Sequence, residues 1–453
     1  MQTDIFRMPA DEILTPKKLA EFITKNETIT KQRYKKLWNA YINKYDIFNK
    51  PRKAAYKPDN RIAVNFAEYI VSVFEGFFMG NPVKITSDEE DISEYINTFD
   101  SENDMDDKNA ELSTIVSVFG RGYEMYYVDD EAELRTACLN PMEAFIIYDE
   151  AITPHPLYFV RYFVDSHGVK RGSISDSHTV SYFEYSPDIH YIPDLEQTHG
   201  FSYVPAVEYT MNTSRHGIFE SVLSLINAYN KAISEKANDV DYFADAYLKI
   251  LGATLDGKAI QFMRDNRTIN LEGDGAKDIV VDFLQKPNGD GTQENLLDRV
   301  ERLIFVTAMV CNISDENFAT SSGIALKYKL LPMMNLAKVK ERKFTGGFNK
   351  RYKIICSNPL CPLEEDDWSK ITYSFSYNLP ANISDEADTA AKLSGITSKK
   401  TQLSVLSIVD DVDKELERID EEEQESLTDY ETERLGHDET NNETNRTSEE
   451  ETD

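Results

Sequence analysis

The chain has 453 residues, 41% of them apolar and 11% aromatic, enough to bury a sizeable core in two or three folding units. Its formal net charge is −31, and the stretch from Asp410 to Asp453, with 20 acidic and 4 basic residues, carries −16 of it. That balance excludes ordinary high-affinity nucleic-acid binding, which needs clustered Lys and Arg, but permits a surface that DNA passes without sticking.

Near the N-terminus, MQTDIFRMPADEIL lacks the apolar region of a secretory signal, and no apolar run is long enough to span a membrane. Residues 11–46 read as two short helices, with Thr15 capping and Pro16 at the first helical position. A buried helix is predicted from about Asn65 to Met79, stopped by Gly80-Asn81-Pro82, and VKIT then starts a strand. DMDDKNAELSTIVSVFG is a further helix ending at Gly120. From Gly122 to Thr210 the pattern changes to short aromatic and β-branched strands: YEMYYV, LRTACL, AFIIYD, LYFVRYFV, TVSYFEYS and VPAVEYT.

At Gly217 a helical period returns. Phe219, Val222, Ile226, Tyr229, Ile233, Ala237, Val240 and Ala244 form one stripe. A second helix, from about Thr292 to Val310, carries Leu296, Val300, Leu303 and Val310. The two bracket a small β-rich insert, and the simplest packing is an antiparallel hairpin with the insert at its tip. NISDENFATSS has no apolar period and reads as loop. Leu326, Leu330, Met333, Ala337, Phe344, Phe348, Tyr352 and Ile355 then mark a long helix, with a kink expected at Pro332. ITYSFSY alternates as a strand and is expected to return to the sheet of residues 122–210. ISDEADTAAKL, TSKKTQLSVLS and DDVDKELERIDEEEQ are three more helices. Beyond Glu425 the acidic stretch reads as a solvated tail that supplies no core.

No motif for catalysis or for nucleotide or metal binding stands out. GDGAKD at Gly273 lacks the spacing and Lys-Ser/Thr pair of a phosphate loop. DMDDKNAELST places Asn109 where a calcium loop needs glycine and Ile115 where it needs Glu, so a solvated helix start is the better reading. The seven histidines are scattered, and there is no catalytic Ser or Cys elbow. Of Cys138, Cys311, Cys356 and Cys361 only the last two are close, at a spacing that fits no zinc or redox pattern. Free thiols in a reducing cytoplasm are expected. No enzyme activity, metal or cofactor is expected.

Four stretches in this order are similar to a known family: KPDNRIAVNFAEYIVSVFEGFFMGNPVKI (57–85), FGRGYEMYYVDDEAELRTACLNPMEAFIIYDE (119–150), SSGIALKYKL (321–330), and the segment from Asn378 to Glu422 that begins NLPANISDEADTAAKL. They resemble the portal proteins of tailed bacteriophages, the siphophage type of Gram-positive hosts. The likeness implies an α+β subunit in a ring of about twelve at one capsid vertex. Residues 1–216 would form the helix-and-strand part of a wing, and 217–246 and 292–311 a stem. Residues 247–291 would form a clip, with Arg264, Arg267 and Lys277 docking the packaging ATPase (terminase) and then the head-completion and adaptor proteins. Residues 312–323 would be a tunnel loop, with Asn317, Phe318, Thr320, Ser321, Ser322 and the nearby Lys327 at the DNA channel. Residues 324–382 would return to the wing, 383–425 would form a crown, and 426–453 an acidic tail. Major capsid and scaffold proteins are further implied partners, and the implied location is the virion. Another ring-forming capsid or head-tail adaptor is the alternative, followed by a nucleic-acid-processing enzyme.

On the residues alone, NISDENFATSS is an ordinary surface loop, and Lys327, Lys329, Lys338, Lys340 and Lys343 are the solvated face of an amphipathic helix. The resemblance gives the same residues a second meaning. A mostly acidic channel would keep DNA mobile, and a few lysines repeated around a ring would guide phosphates weakly. Ring closure is also expected because the apolar faces of the two stem helices and of Asn65–Met79 exceed what one thin subunit can bury.

Overall fold

The structure, a computed structural model, describes residues 5–54, 57–244, 248–251, 257–258, 261, 280–283, 290–314, 323–379, 383–406, 408–409 and 412–422. The chain divides into two compact units, Met1–Asn378 and Leu379–Asp453. Helices and sheets are mixed throughout the first, which is an α+β arrangement.

Thr15 caps α1 (Pro16–Ile29), its hydroxyl accepting the Lys18 N–H at 3.3 Å. The chain does not break into two helices as the sequence suggests. It runs through a five-residue π-helical turn, Thr30–Tyr34, into α2 (Lys35–Tyr41). That turn carries Arg33, which donates to Glu220 at 2.7 Å and to the Arg215 carbonyl at 2.6 Å. The wider turn thus sits where a long-range contact is made, a common setting for π segments.

In α3 (Phe66–Phe78), Phe66, Ala67, Ile70, Val71, Phe74, Phe77 and Phe78 are all buried within this one chain. The expectation that this helix needs a neighbouring subunit to cover it is therefore overturned. Next, α4 (Glu90–Asn103) was not anticipated. Ile92, Ile96 and Phe99 are buried on one face, at a helical spacing hidden among acids. Helix α5 (Met105–Phe119) takes up the stretch that faintly resembled a calcium loop. It ends at Gly120, φ +82°, where a Cβ would meet the Arg215 carbonyl oxygen at 2.0 Å.

The described strands form one large sheet and three small ones. Strands β1 (Phe6–Arg7), β5 (Ala144–Tyr148), β6 (Pro156–Val164), β7 (Lys170–Ser175), β8 (Thr179–Tyr185) and β10 (Gln197–Thr198) lie side by side, with β9 (Ile189–Tyr191) also pairing β8. Among the described strands, only β1 runs parallel to its neighbour. The period-2 signal had missed β7, β9 and β10, which are short or glycine- and serine-containing. A second sheet holds β11 (Ala206–Thr210), β3 (Arg121–Val128) and β4 (Leu134–Leu139) in that order. The late strand β14 (Ile371–Ser374) does not join either. It pairs antiparallel with β2 (Lys84–Ser87), so the expected return to the sheet of residues 122–210 is wrong. The reason is local: β14 follows the end of the long helix, which lies against α3 and carries the chain to β2 instead. One core gathers α3, α5 and the long helix, and another lies between α1 and the large sheet.

Helices α6 (Leu223–Ala244) and α7 (Asp290–Ala308) pack against one another. Gln293 donates to Asp239 at 3.2 Å, whereas the other end of α7 contacts the 3₁₀ turn Glu220–Val222. The pair is therefore antiparallel. Between them, β12 (Leu248–Leu251) and β13 (Val280–Phe283) form an antiparallel pair. Helix α8 (Gly323–Cys356) runs 34 residues with Pro332 inside it. In the second unit, Ser398 caps α10 (Lys399–Leu403), which follows α9 (Ile383–Leu393). Lys400 then reaches Asp413, in the helical stretch 412–422, at 2.6 Å.

Candidate functional site

The first supports of the hairpin are polar and regular. Asn230, Ser234 and Asn238 stand every fourth residue along α6 and are all buried. Each engages the backbone of an extended strap. Val64 N–H donates to Asn230 Oδ1 at 2.8 Å, Ile62 N–H to Ser234 Oγ at 2.9 Å, and Asn60 N–H to Asn238 Oδ1 at 2.6 Å. The helix rises about 6 Å per four residues and the strap about 6.6 Å per two, so the two repeats match. Sequence reading missed this ladder, because attention to the apolar stripe passes over an N-x-x-x-S-x-x-x-N repeat beside it.

The chain leaving α7 is pinned. Met309 takes a left-handed conformation, φ +59°, and Val310 N–H bonds back to the Phe305 carbonyl at 3.3 Å, as a helix-closing turn requires. Cys311 Sγ–H then points at the Lys329 carbonyl, 3.2 Å away on α8. Ile313 N–H donates to the Tyr69 hydroxyl at 3.0 Å, and Asn312 Nδ2 to Glu301 at 3.2 Å. Both approaches to the polar segment are thus tied to helices. A cavity of about 1020 Å³ opens beside Asn312 and Ser314, lined also by Glu301, Arg302, Phe305, Met309, Lys329 and Pro332.

Of the candidate site residues, only Lys327 falls within the described part, exposed on the first turns of α8 beside exposed Tyr328. Asn317, Phe318, Thr320, Ser321 and Ser322 lie outside the described residues, as do Arg264, Arg267 and Lys277. The lysine row itself does not form one face. Lys338 pairs with Glu341 at 2.9 Å and lies over the Tyr377 ring. Lys340 is fully buried, which contradicts both the solvated and the channel reading for that residue.

Lys340 Nζ is 2.6 Å from Glu75 Oε1, 2.9 Å from Ser117 Oγ and 3.0 Å from the Ser113 carbonyl. The rings of Phe74, Phe78 and Phe344 surround it at 4.9 to 5.3 Å. Desolvation lowers its pKa, and Glu75 opposes that shift. One helical turn past Phe348, Arg351 is equally buried. It donates to Glu124 at 2.9 Å and to Asn109 at 2.7 Å, and Tyr126 and Tyr209 hydroxyls also donate to Glu124. A third set joins Arg121 and Arg215 to Glu208, whose pKa falls to about 2: burial pushes it up, and the two guanidiniums more than reverse that. These three sets fix α8, α3, α5 and the β3–β11 sheet relative to one another. The signal for Lys340 was present in the sequence: it fills the gap between Ala337 and Phe344 in the apolar stripe. The four cysteines are free thiols, with Cys356 and Cys361 buried.

The model of the family "Phage portal protein, SPP1 Gp6-like" matches residues 20–429. A portal protein of Clostridium phage phiCD119 is 24% identical over 404 residues, which cover 82% of this chain and 88% of that protein. A portal protein of Bacillus phage SPP1 is 23% identical over 396 residues, or 81% of this chain and 76% of that one. Among the described residues, no helix is long and apolar enough to cross a membrane. The chain belongs to the SPP1-type family of phage portal proteins.

Proposed function

We propose that the chain forms a ring of about twelve subunits at one capsid vertex and acts as the channel through which phage DNA enters and leaves the head. The observation that carries this reading is the pinned antiparallel hairpin of α6 and α7, in a chain matched by the portal family over residues 20–429. The hairpin has the β12–β13 pair at one end and the approach to residues 315–322 at the other. In this reading residues 217–246 and 292–311 are the stem, 247–291 the clip, 312–323 the tunnel loop and 383–425 the crown. Arg264, Arg267 and Lys277 on the clip dock the terminase and then the head-completion and adaptor proteins. The ring also meets major capsid and scaffold proteins. Asn317, Phe318, Thr320, Ser321 and Ser322 face the channel, with Lys327 at its edge. The reading assigns no catalytic step and no cofactor to the chain.

The acidic surface suits the task. DNA carries about one charge per 1.7 Å of axis, so a strongly basic wall would retain it and a mostly acidic one lets it slide. The test has two parts. Negative-stain microscopy of the purified protein is expected to show closed rings, and monomers alone would defeat the reading. A photoreactive group at Phe318 in filled heads is expected to label DNA; normal rings with no adduct would move the channel wall elsewhere.

A further inference from the structure

A second cavity, of about 750 Å³, lies between the large sheet and the β3–β4 hairpin. That is within the size range of small-molecule and peptide sites. Its floor is one face of the sheet. Arg161 on β6 stands opposite Ser173 on β7, which stands opposite Tyr182 on β8. Two residues along, Ser175 pairs with Val180. Directly paired residues share a face, so these side chains form one surface. The facing wall is apolar, with Met125, Ala137 and Leu139, and Leu360 closes the side.

The polar groups of this floor are not used by the protein. Ser173 is 8% exposed and Ser175 5%, and among the described residues neither hydroxyl has a hydrogen-bond partner. The Arg161 guanidinium stacks over Phe163 at 5.2 Å but forms no hydrogen bond or ion pair among the described residues. It shares this with Arg7, Arg52, Arg299 and Arg302, which also have no ion pair among the described residues, and differs from the arginines that brace the core. Arg33, Arg135, Arg215 and Arg351 each have a carboxylate at 2.7 to 2.9 Å. Ser173, Ser175 and Arg161 open onto the cavity and are free to meet a ligand. The rim, by contrast, is already satisfied and held in place. His199 Nε2 donates to the Asp176 carbonyl at 3.1 Å while its Nδ1 accepts from Phe201 N–H at 3.2 Å, and Asn358 Nδ2 donates to the His199 carbonyl at 3.3 Å.

We propose that this cavity binds an extended acidic peptide segment of a partner protein, with one carboxylate of that segment on Arg161. A guanidinium fork suits a carboxylate and gives it a fixed orientation. Ser173 and Ser175, two residues apart on one strand, are about 7 Å apart, which is the repeat of same-side groups along an extended chain. The apolar wall takes a neighbouring side chain. Asp130 at the rim disfavours ligands of high negative charge, such as a polyphosphate or DNA, whereas Asp129 is already paired with Arg135 at 2.8 Å.

An array of octapeptides blocked at both ends tests this, each made with Glu and with Gln at a central position and probed with labelled full-length protein. A group of peptides with an apolar residue beside Glu is expected to bind at least about tenfold better than their Gln twins. That preference is expected to vanish in Arg161→Met, which keeps the aliphatic stem over Phe163. Ser175→Val, on a different strand, is expected to weaken the same peptides, and it decides the matter should Arg161→Met not fold, as checked by thermal melting. Equal binding of Glu and Gln peptides, no bound peptide, or undiminished binding by the folded variants would overturn the proposal. Displacement of the peptides by inorganic phosphate alone would also overturn it, since the site would then be a general anion site.

Discussion

Lys340 on α8 and Glu75 on α3 meet at 2.6 Å inside the protein, 265 residues apart in the chain. Two serines of α5 complete the contact: Ser113 and Ser117 both donate to Glu75, and Ser117 also receives from Lys340. One ion pair therefore ties three helices. Removing one partner of such a pair leaves a buried charge without compensation. Lys340→Met is expected to destabilise the fold by about 3–5 kcal/mol, and the double variant Lys340→Met, Glu75→Leu by clearly less. Urea unfolding of the three proteins measures this. A double variant as unstable as the single one would show that packing, not charge, sets the cost.

The strap ladder gives a local prediction. Ser234 Oγ accepts from Ile62 N–H at 2.9 Å and donates to the Asn230 carbonyl at 2.7 Å. Ser234→Ala strands the Ile62 amide and is expected to cost about 1–2 kcal/mol. Hydrogen exchange resolves where. The amide of Ile62 is expected to exchange faster, whereas the amide of Tyr209, in the β11–β3 ladder, stays protected.

Asp100 supplies a pH dependence. It is largely covered beside Tyr352, and burial raises its pKa to about 6 against the opposing pull of Arg351. The folded value lies above the unfolded one of 3.8, so the folded state keeps a proton that the unfolded state loses between those values. Stability then falls as pH rises through that window, and the penalty is complete above about pH 6. Asp100→Asn is expected to stabilise by up to about 2 kcal/mol at pH 7 and by nothing at pH 3. Thermal melts at both pH values test it, and an equal gain at both would assign the effect to packing.

The exposed side of α7 bears on assembly. Val306 is 66% exposed, Leu296 52% and Leu303 40%, whereas Leu297 and Ile304 face the hairpin. Leu296 and Leu303, two of the apolar residues that the sequence places along this helix, are thus exposed. In the ring proposed above, a neighbouring subunit covers this side. Val306→Glu is expected to leave the subunit's melting nearly unchanged, since an exposed change costs little. It is expected to shift particle mass from rings toward smaller species in mass photometry. Intact rings would place the contact on another face.

The sequence by itself determined most of the longer local elements and the family. The Thr15-Pro16 start, the stop after α5 at Gly120 and the alternation of β3 to β6 follow from side-chain size, backbone freedom and period, which act between near neighbours. The order of α6, β12, β13, α7 and α8 was legible for the same reason. Only the tertiary structure decided pairing. Strand β14 could have joined any open edge, and its alternation carries no record of β2 as partner. Likewise a lysine on a helix reads as solvated until the opposite wall is known. Lys340 is buried because Glu75, Ser113 and Ser117 arrive from two other helices to receive its charge. The same holds for Arg351, whose acceptors Glu124 and Asn109 come from β3 and α5. The gap in the apolar stripe marks Lys340's position, but the groups that receive a buried charge lie far apart in sequence, so no local pattern names them.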